Sequence, residues 1–295
     1  MSFTIRKATT DDLEGIAALL EHGFHDAVPC FITENLLSKF SFPEYTSFVA
    51  VCDGNIVGHA RVRTENGIAH FGMLTVHQDY RRQGIAQALT QARVHYLESH
   101  NFQGRAISDA ITHHPYSQMQ LSAVGFHPVR ILPDYAPDQG FGPETTVGFV
   151  RVFSPAGLWK PEETTISLYL PQEYHTVATH ILAPFGNIDF KESSVQTPGN
   201  GTRSFVSSEE MLKPRGIYPV RLYDPNAPAN IALLRENEYI FSGIFPVITD
   251  GALSAAAQMY RVPDAALTRK KIRCIPAAAP LLDFVWEQYA RTRMS

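Results

Sequence analysis

Charge, cysteine and long apolar runs are all scarce in this chain, and each scarcity removes a class of function. Charged residues make up 18% of the 295 positions, and the formal net charge is −4. Lysine and arginine are scattered, so no basic stripe points to nucleic acid as a partner. No apolar run approaches the ~20 residues that a membrane span needs. The opening MSFTIRKATTDDLEG has no apolar segment of the secretory kind. The expectation is a cytoplasmic protein with no membrane partner. Cys30, Cys52 and Cys274 are far apart and show no CxxC or Cys/His ligand spacing. Neither a disulfide framework nor a bound metal is expected.

What the chain does have is apolar material, at 44% of residues, and a length that allows one large domain or two ordinary ones. Its most informative stretch is HFGMLTVHQDYRRQGIAQALTQARVHY, residues 70–96. His70 to Val76 is rich in strand formers. Ile85, Leu89, Ala92 and Tyr96 then recur at helical spacing, so a helix begins at or near Gly84. The first N–H groups of a helix have no internal partner and carry partial positive charge. A glycine there lets a ligand approach the backbone, and Arg81 and Arg82 add fixed cations beside it. Such a place accepts phosphate. It is neither a Walker loop, which needs Gly-Lys-Ser/Thr, nor a dinucleotide fingerprint, which needs more glycines and a following acidic residue.

Around this stretch the pattern alternates strands and helices. Phe3 to Arg6 reads as a strand, and Thr9 with Asp12 as a capping box opening a helix on Leu13, Ile16, Ala17 and Leu20. Residues 21–45 are irregular and aromatic. Asp53-Gly54 and Asn66-Gly67 mark two hairpins, joining strands at 47–52, 56–62 and 70–76. After the helix at 84–99 come a strand at 105–112, the turn HHPYS, a helix at 117–124, and strands after Gly125 and at 145–153. A proline-containing linker follows. The second half offers strands near 166–170, 216–222, 239–248 and 253–262, with helices after Pro171, at 228–236 and at 277–292; residues 193–204 are polar.

These residues resemble the GNAT acyltransferase superfamily. RRQGIA is similar to that family's Arg/Gln-x-x-Gly-x-Gly/Ala pyrophosphate loop, here Arg81-x-x-Gly84-x-Ala86. MLTV before it resembles the family's fourth strand, CDGNIVGHA its second-to-third strand hairpin, and LSAVGF at 121–126 its later helix-to-strand signature. The likeness covers residues 3–153. It implies a mixed α/β fold with a central, splayed sheet flanked by helices, in a catalytic domain over 1–155. A smaller α+β domain is expected over 163–295. The order helix, YIFSGIFPV, turn and strand there suggests either a degenerate GNAT-like unit without a second pyrophosphate loop or an unrelated small α+β domain.

The resemblance also implies acetyl-CoA or another acyl-CoA as cofactor, and no metal. Backbone groups of Leu74, Thr75 and Val76 would pair with the pantetheine amides as an added strand. Backbone N–H groups across Arg81, Arg82, Gln83, Gly84, Ile85 and Ala86 would hold the pyrophosphate. A free amide beside a bulge would polarise the thioester carbonyl. The family's usual acid, a tyrosine four residues before the Gly-Phe pair, is replaced by Leu121. Candidates for proton transfer are His114, Tyr116, Ser117, Asp109 and His70, with His113 beside them. Ser117 could equally be a helix N-cap, and Asp109 could lie on a buried face with Ile107. Cys30 reads as an inert cysteine rather than an acyl carrier.

The expected activity is acyl transfer to the amine of a small molecule or peptide by direct attack on the thioester. A CoA-sensing module without catalysis, or the same fold performing O-acylation, decarboxylation or hydrolysis, are the alternatives. The second half would wall the acceptor site, form a homodimer, or both.

Overall fold

Two tight turns set the register of the first half. Asp53-Gly54 and Asn66-Gly67 all take positive φ, at 48°, 79°, 48° and 72°. Such a pair matches the right-handed twist of the strands it joins. It connects β2 (Tyr45–Cys52) to β3 (Asn55–Glu65), and β3 to β4 (Ile68–Val76). The three-dimensional structure, a computed structural model, describes residues 2–24, 39–136, 144–154, 159–194, 216–249, 252–262, 269 and 272–294. Cys30, most of the loop at 21–45 and most of the polar segment 193–204 lie outside the described residues.

The remaining elements of the first half follow the expected order. These are β1 (Thr4–Lys7), α1 (Leu13–Phe24), α2 (Ile85–Ser99), β5 (Gly104–Ile111), α3 (Tyr116–Ala123), β6 (His127–Ala136) and β7 (Glu144–Phe153). The capping box forms: Thr9 N–H donates to Asp12 at 2.8 Å, and Arg6 grips the same carboxylate at 2.6 and 2.7 Å. Leu13, Ile16 and Leu20 are buried. The second half contributes β8 (Thr165–Leu168), α4 (His175–Leu182), β9 (Asn187–Phe190), β10 (Ile217–Arg221), α5 (Ala227–Glu236), β11 (Tyr239–Thr249), β12 (Ala252–Arg261) and α6 (Ala279–Met294). β9 has no counterpart in the sequence pattern. It is a four-residue strand, NIDF, held by parallel pairing to β8 rather than by its own apolar face.

All of these strands except β8 and β9, which pair as a separate two-stranded sheet, form one ten-stranded sheet in the order β1-β2-β3-β4-β5-β7-β6-β11-β12-β10. The β10–α5–β11–β12 segment repeats the arrangement of β5–α3–β6–β7, since each gives the spatial order first, last, middle. Each middle strand also carries a bulge: at Val129, between Pro128 and Arg130, and at Ser242, between Phe241 and Gly243. The two units meet at a single pair, Arg130 with Gly243, one residue past each bulge. That pair marks a local two-fold axis through the sheet.

Glycine makes this junction possible. A Cβ on Gly243 would overlap the Val129 carbonyl oxygen and lie 2.5 Å from Arg130 Cα, and one on Gly148 of β7 would overlap the Arg130 side chain. On one face, a single apolar cluster under α2 to α6 spans both halves, with Tyr174 stacked on Phe241 at 4.9 Å and edge-on to Phe284 at 5.8 Å. On the other, α1 covers β3 and β4. Beyond Gly243, β11 leaves β6 and bends back over the sheet, where its Pro246 carbonyl accepts from Arg105 of β5 at 2.6 Å.

β4 departs from regular pairing with β3. Between the pairs Gly72–Arg61 and Thr75–His59, β4 carries one extra residue, and Met73 takes φ 52°. His59, fully buried, secures this bulge: its Nδ1 bonds the Met73 carbonyl and its Nε2 meets Ser47 Oγ, both at 3.1 Å.

Gly243→Val should destabilise the protein by at least ~3 kcal/mol through backbone overlap, whereas Gly54→Ala, at an open hairpin tip, should cost about 1 kcal/mol. Denaturant unfolding of both variants checks this; equal losses would refute a close-packed junction. Burial pushes the His59 pKa from 6.5 down to about 3. Between those values the unfolded chain binds a proton that the folded chain refuses. This contribution is therefore complete above pH 6.5 and is lost as pH falls, at ~1.4 kcal/mol per unit. Stability measured from pH 7 to 5 should show that slope in the native protein and lose it in His59→Gln; identical slopes would count against it.

Candidate active site

The site begins where two parallel strands part. β4 and β5 pair only at Ile68–Arg105, Ala69–Ala106 and His70–Ile107, and then diverge. Ser108 Oγ donates to the Phe71 carbonyl at 3.1 Å, bridging the strands just past their last pair. Beyond it the β5-facing edge of β4 has no strand partner among the described residues. Because His77 N–H bonds Val57 O on the β3 side, alternation turns the Thr75 backbone toward His59 as well. Leu74 and Val76 therefore present their peptide groups to the gap. Thr75 instead backs onto β3, with its side chain against Gly23 of α1.

At the wide end of the gap lies the loop into α2. A 3-10 turn at Gln78–Tyr80 brings the chain to Arg81, whose Nε donates to the Val76 carbonyl at 3.2 Å. Arg82 and Gly84 then take φ of 62° and 80°. The first helical bond runs from Ala88 N–H to Gly84 O, so the N–H groups of Ile85, Ala86 and Gln87 have no acceptor within the helix. Nothing stands within 4 Å of where a Gly84 Cβ would be. Unpaired donors, two exposed guanidinium groups and open space fit a pyrophosphate.

The turn after β5 faces this loop. His114 feels the charge of Arg81, and burial and His113 hold its pKa below the usual histidine range. Its Nδ1 is buried without a partner. His113 Nδ1 lies 2.8 Å from Oε1 of Glu144, whose side chain is only 4% exposed. Tyr116 stands out in solvent with its ring 5.0 Å from that of His114. The expectation that Ser117 caps α3 is corrected: the helix starts at Tyr116 and Pro115 holds the cap position, with φ −89° and ψ 3° already close to helical. Ser117 lies within the first turn.

At the narrow end, His70 and Asp109 share the face opposite α2 and α3. The reading that puts Asp109 with Ile107 on a buried face is also corrected, because Ala106 and Ala110 occupy the buried one. Asp109 is gripped by Arg130 at 2.7 and 2.8 Å, and Arg130 also donates to Gln258 at 3.0 Å. That carboxylate is committed. His70 is half-buried, and burial followed by the charge of Arg63 lowers its pKa from 6.5, which keeps the imidazole neutral near pH 7. The expected proton-transfer candidates are thus divided between two places, His114, Tyr116 and Ser117 beside the loop into α2 and His70 with Asp109 where the strands part.

Several residues that shape this site carry no motif. His59 fixes the bulge. Gln118 of α3, fully buried, donates to Ile111 O and Arg273 O and accepts from Ile275 N–H, while Arg273 N–H reaches Thr112 O at 2.7 Å. The second half is thereby tied to the end of β5. Arg93 of α2, 1% exposed, sits 4.4 Å from the centre of the Phe71 ring and donates to Thr90 Oγ1; burial pushes its pKa down to about 9. Nothing in its local sequence marks it, because its burial is set by the strands packed under α2. Leu121, where a tyrosine was expected by resemblance, is buried in the core. Among the described residues no group of three or more side chains could hold a metal, and no helix is long and apolar enough to cross a membrane.

Known proteins match the same region. Residues 20–129 match the family described as an acetyltransferase (GNAT) domain. An N-alpha-acetyltransferase of Saccharolobus solfataricus is 24% identical over 149 residues, which is 46% of this chain and 87% of that protein. The ribosomal-protein-S18-alanine N-acetyltransferase of Escherichia coli superposes with a TM-score of 0.47 at 21% identity, covering 53% of this chain and 97% of its own. A phosphinothricin acetyltransferase of Sinorhizobium meliloti, solved with AcCoA, gives 0.47 at 20% identity over 55% of this chain and 95% of its own. Residues 20–129 of this chain are thus similar to an acetyltransferase (GNAT) domain.

Proposed function

We propose that this chain is an acyl-CoA-dependent N-acyltransferase, with acetyl the simplest group transferred, acting on the amine of a small molecule or peptide. The observation that carries the reading is the parting of β4 from β5 at His70–Ile107, directly ahead of a loop that offers unpaired N–H groups. An elongated donor with a phosphate at one end and amides along its arm suits that gap. Leu74 and Val76 would pair with the amides, and Arg81 to Ala86, with Gln87, would hold the pyrophosphate. Bound acyl-CoA would supply a thioester whose carbonyl an amine attacks as the thiol leaves.

The chain's own residues then have distinct tasks. An alkylamine arrives as an ammonium, with pKa near ~10, and must lose a proton. His70 is neutral, close to where the strands part, and takes that proton; Asp109 is held by Arg130 and does not. The Leu74 N–H, beside the bulge, faces the place where negative charge develops on the carbonyl oxygen. With Leu121 in the core, the thiolate receives its proton from the His70 imidazolium or from water. His114, opposite Arg81, contacts the donor's arm rather than the acceptor. The second half, read as a partial GNAT-like repeat, walls the acceptor side.

Gly84→Glu should abolish CoA binding in calorimetry while leaving the circular dichroism spectrum unchanged, since it puts a carboxylate and a strained φ at the phosphate position. Binding at native affinity would end the phosphate-site assignment. His70→Ala should lower kcat for thiol release by about 100-fold. In the native enzyme the acid limb of kcat/KM should fall away below pH 6.5, because the base is lost as its nitrogen protonates. An unchanged pH profile in the variant would exclude His70 as the base, and no thiol release with any amine would exclude the transferase reading itself.

A further inference from the structure

Because β11 bends back over the sheet, the two halves enclose a cleft of about 830 Å³ on the face that carries His70 and Asp109. Arg105 and Ile107 of β5 form its floor, and Arg130, Phe245, Val247 and Gln258 line it from β6, β11 and β12. Phe245 lies under two guanidinium groups, Arg130 at 5.0 Å and Arg105 at 5.8 Å from its ring centre. The two cations differ in one respect. Arg130 is neutralised by Asp109. The Arg105 guanidinium makes one hydrogen bond among the described residues, to Pro246 O, and forms no ion pair with any of them.

A guanidinium has five N–H donors in a planar fork, and a partly buried one without a counter-ion is costly. Burial is the one influence found on the Arg105 pKa, and its direction is downward, so no carboxylate of the described residues offsets it. Arg105 also stands near His70, whose pKa its charge helps to lower. In the register of β5 it lies two residues before Ile107, the partner of His70, a step of roughly 6.6 Å along the strand. The uncompensated cation is thus about one dipeptide step from the proposed base, on the side away from the phosphate loop.

We propose that the cleft selects an amine acceptor that also carries a carboxylate, with Arg105 as the group that binds it and Phe245 and Val247 as the surface for the acceptor's apolar body. This rests on the transferase reading above. The Arg105–carboxylate pair is formed by the incoming molecule, and the position of Arg105 relative to His70 sets which amine reaches the thioester.

The test uses matched acceptors, L-phenylalanine with L-phenylalaninamide and 4-aminobutyrate with 4-aminobutyramide, in the full chain with acetyl-CoA. The ratio of kcat/KM for carboxylate over amide, each computed on its free-amine fraction, should exceed one in the native enzyme. It should drop about 10- to 100-fold in Arg105→Gln and recover in part in Arg105→Lys. An unchanged ratio in Arg105→Gln, or a native preference for the amides, would overturn the assignment. Calorimetric binding of N-acetyl-L-phenylalanine against its amide separates the two readings. If no thiol is released with any amine, the transferase reading fails, and a 10-fold loss of N-acetyl-L-phenylalanine binding in Arg105→Gln still supports the carboxylate site. If thiol is released but neither the kinetic ratio nor the binding depends on Arg105, the carboxylate site alone fails.

Discussion

A β-strand that leaves its neighbour exposes a row of peptide groups, and those groups must find another partner. In this protein β4 meets that condition three residues into its pairing with β5. Water or a ligand can serve the β5-facing edge, but the strand must also stay straight enough to offer it. The other edge supplies the rigidity. β3 holds β4 through a bulge whose left-handed residue, Met73, is tied down by a histidine that burial keeps uncharged. Arg93 lies against Phe71 with no carboxylate of the described residues in reach. A buried cation and a buried imidazole packed against one strand are expensive, and such expense concentrates where a backbone has to be held in a particular shape.

Much of the first half was legible because its signals are local. Asp-Gly and Asn-Gly need only their own φ preferences to make hairpins, and helical spacing needs only one buried face. The anion-accepting start of α2 is local too, since its unpaired donors follow from the helix beginning there. What could not be read depends on contacts distant in sequence. Alternation alone leaves Asp109 two faces to choose from, and the choice is made by Arg130 on another strand. Pro115 takes the cap position from Ser117 through its own near-helical backbone, a competition that a serine-based signal does not register. Glu144 and Gln118 are polar residues without motifs, and each becomes meaningful only when β7 or residues 272–275 come alongside.

The second half shows the same division. Its strands and helices were mostly readable, but the sheet they join was not, because the pairing that links the halves is one residue long. Arg130 and Gly243 are 113 positions apart, from 130 to 243, and nothing in either local pattern announces the other. The symmetry became visible in the bulges, where an extra residue in β6 and another in β11 place the two strands back to back. A repeat can survive in its strand order and bulges after its side chains have diverged, because backbone hydrogen bonding constrains the former and only packing constrains the latter.

The doubled arrangement has a consequence for how the cleft comes to exist. In a homodimer, two such units facing each other across a two-fold axis would form a shared cleft only above the dissociation constant, and dilution would open it. Here both units belong to one chain, and continuous backbone joins floor to wall. The effective concentration of one for the other is set by that tether rather than by the amount of protein present. Tethering also releases the two sides from being identical. One unit is free to keep the glycine-containing loop into α2 while the other keeps only the curvature of its strands, so the cleft is lopsided in a way that no symmetric pair of chains could achieve.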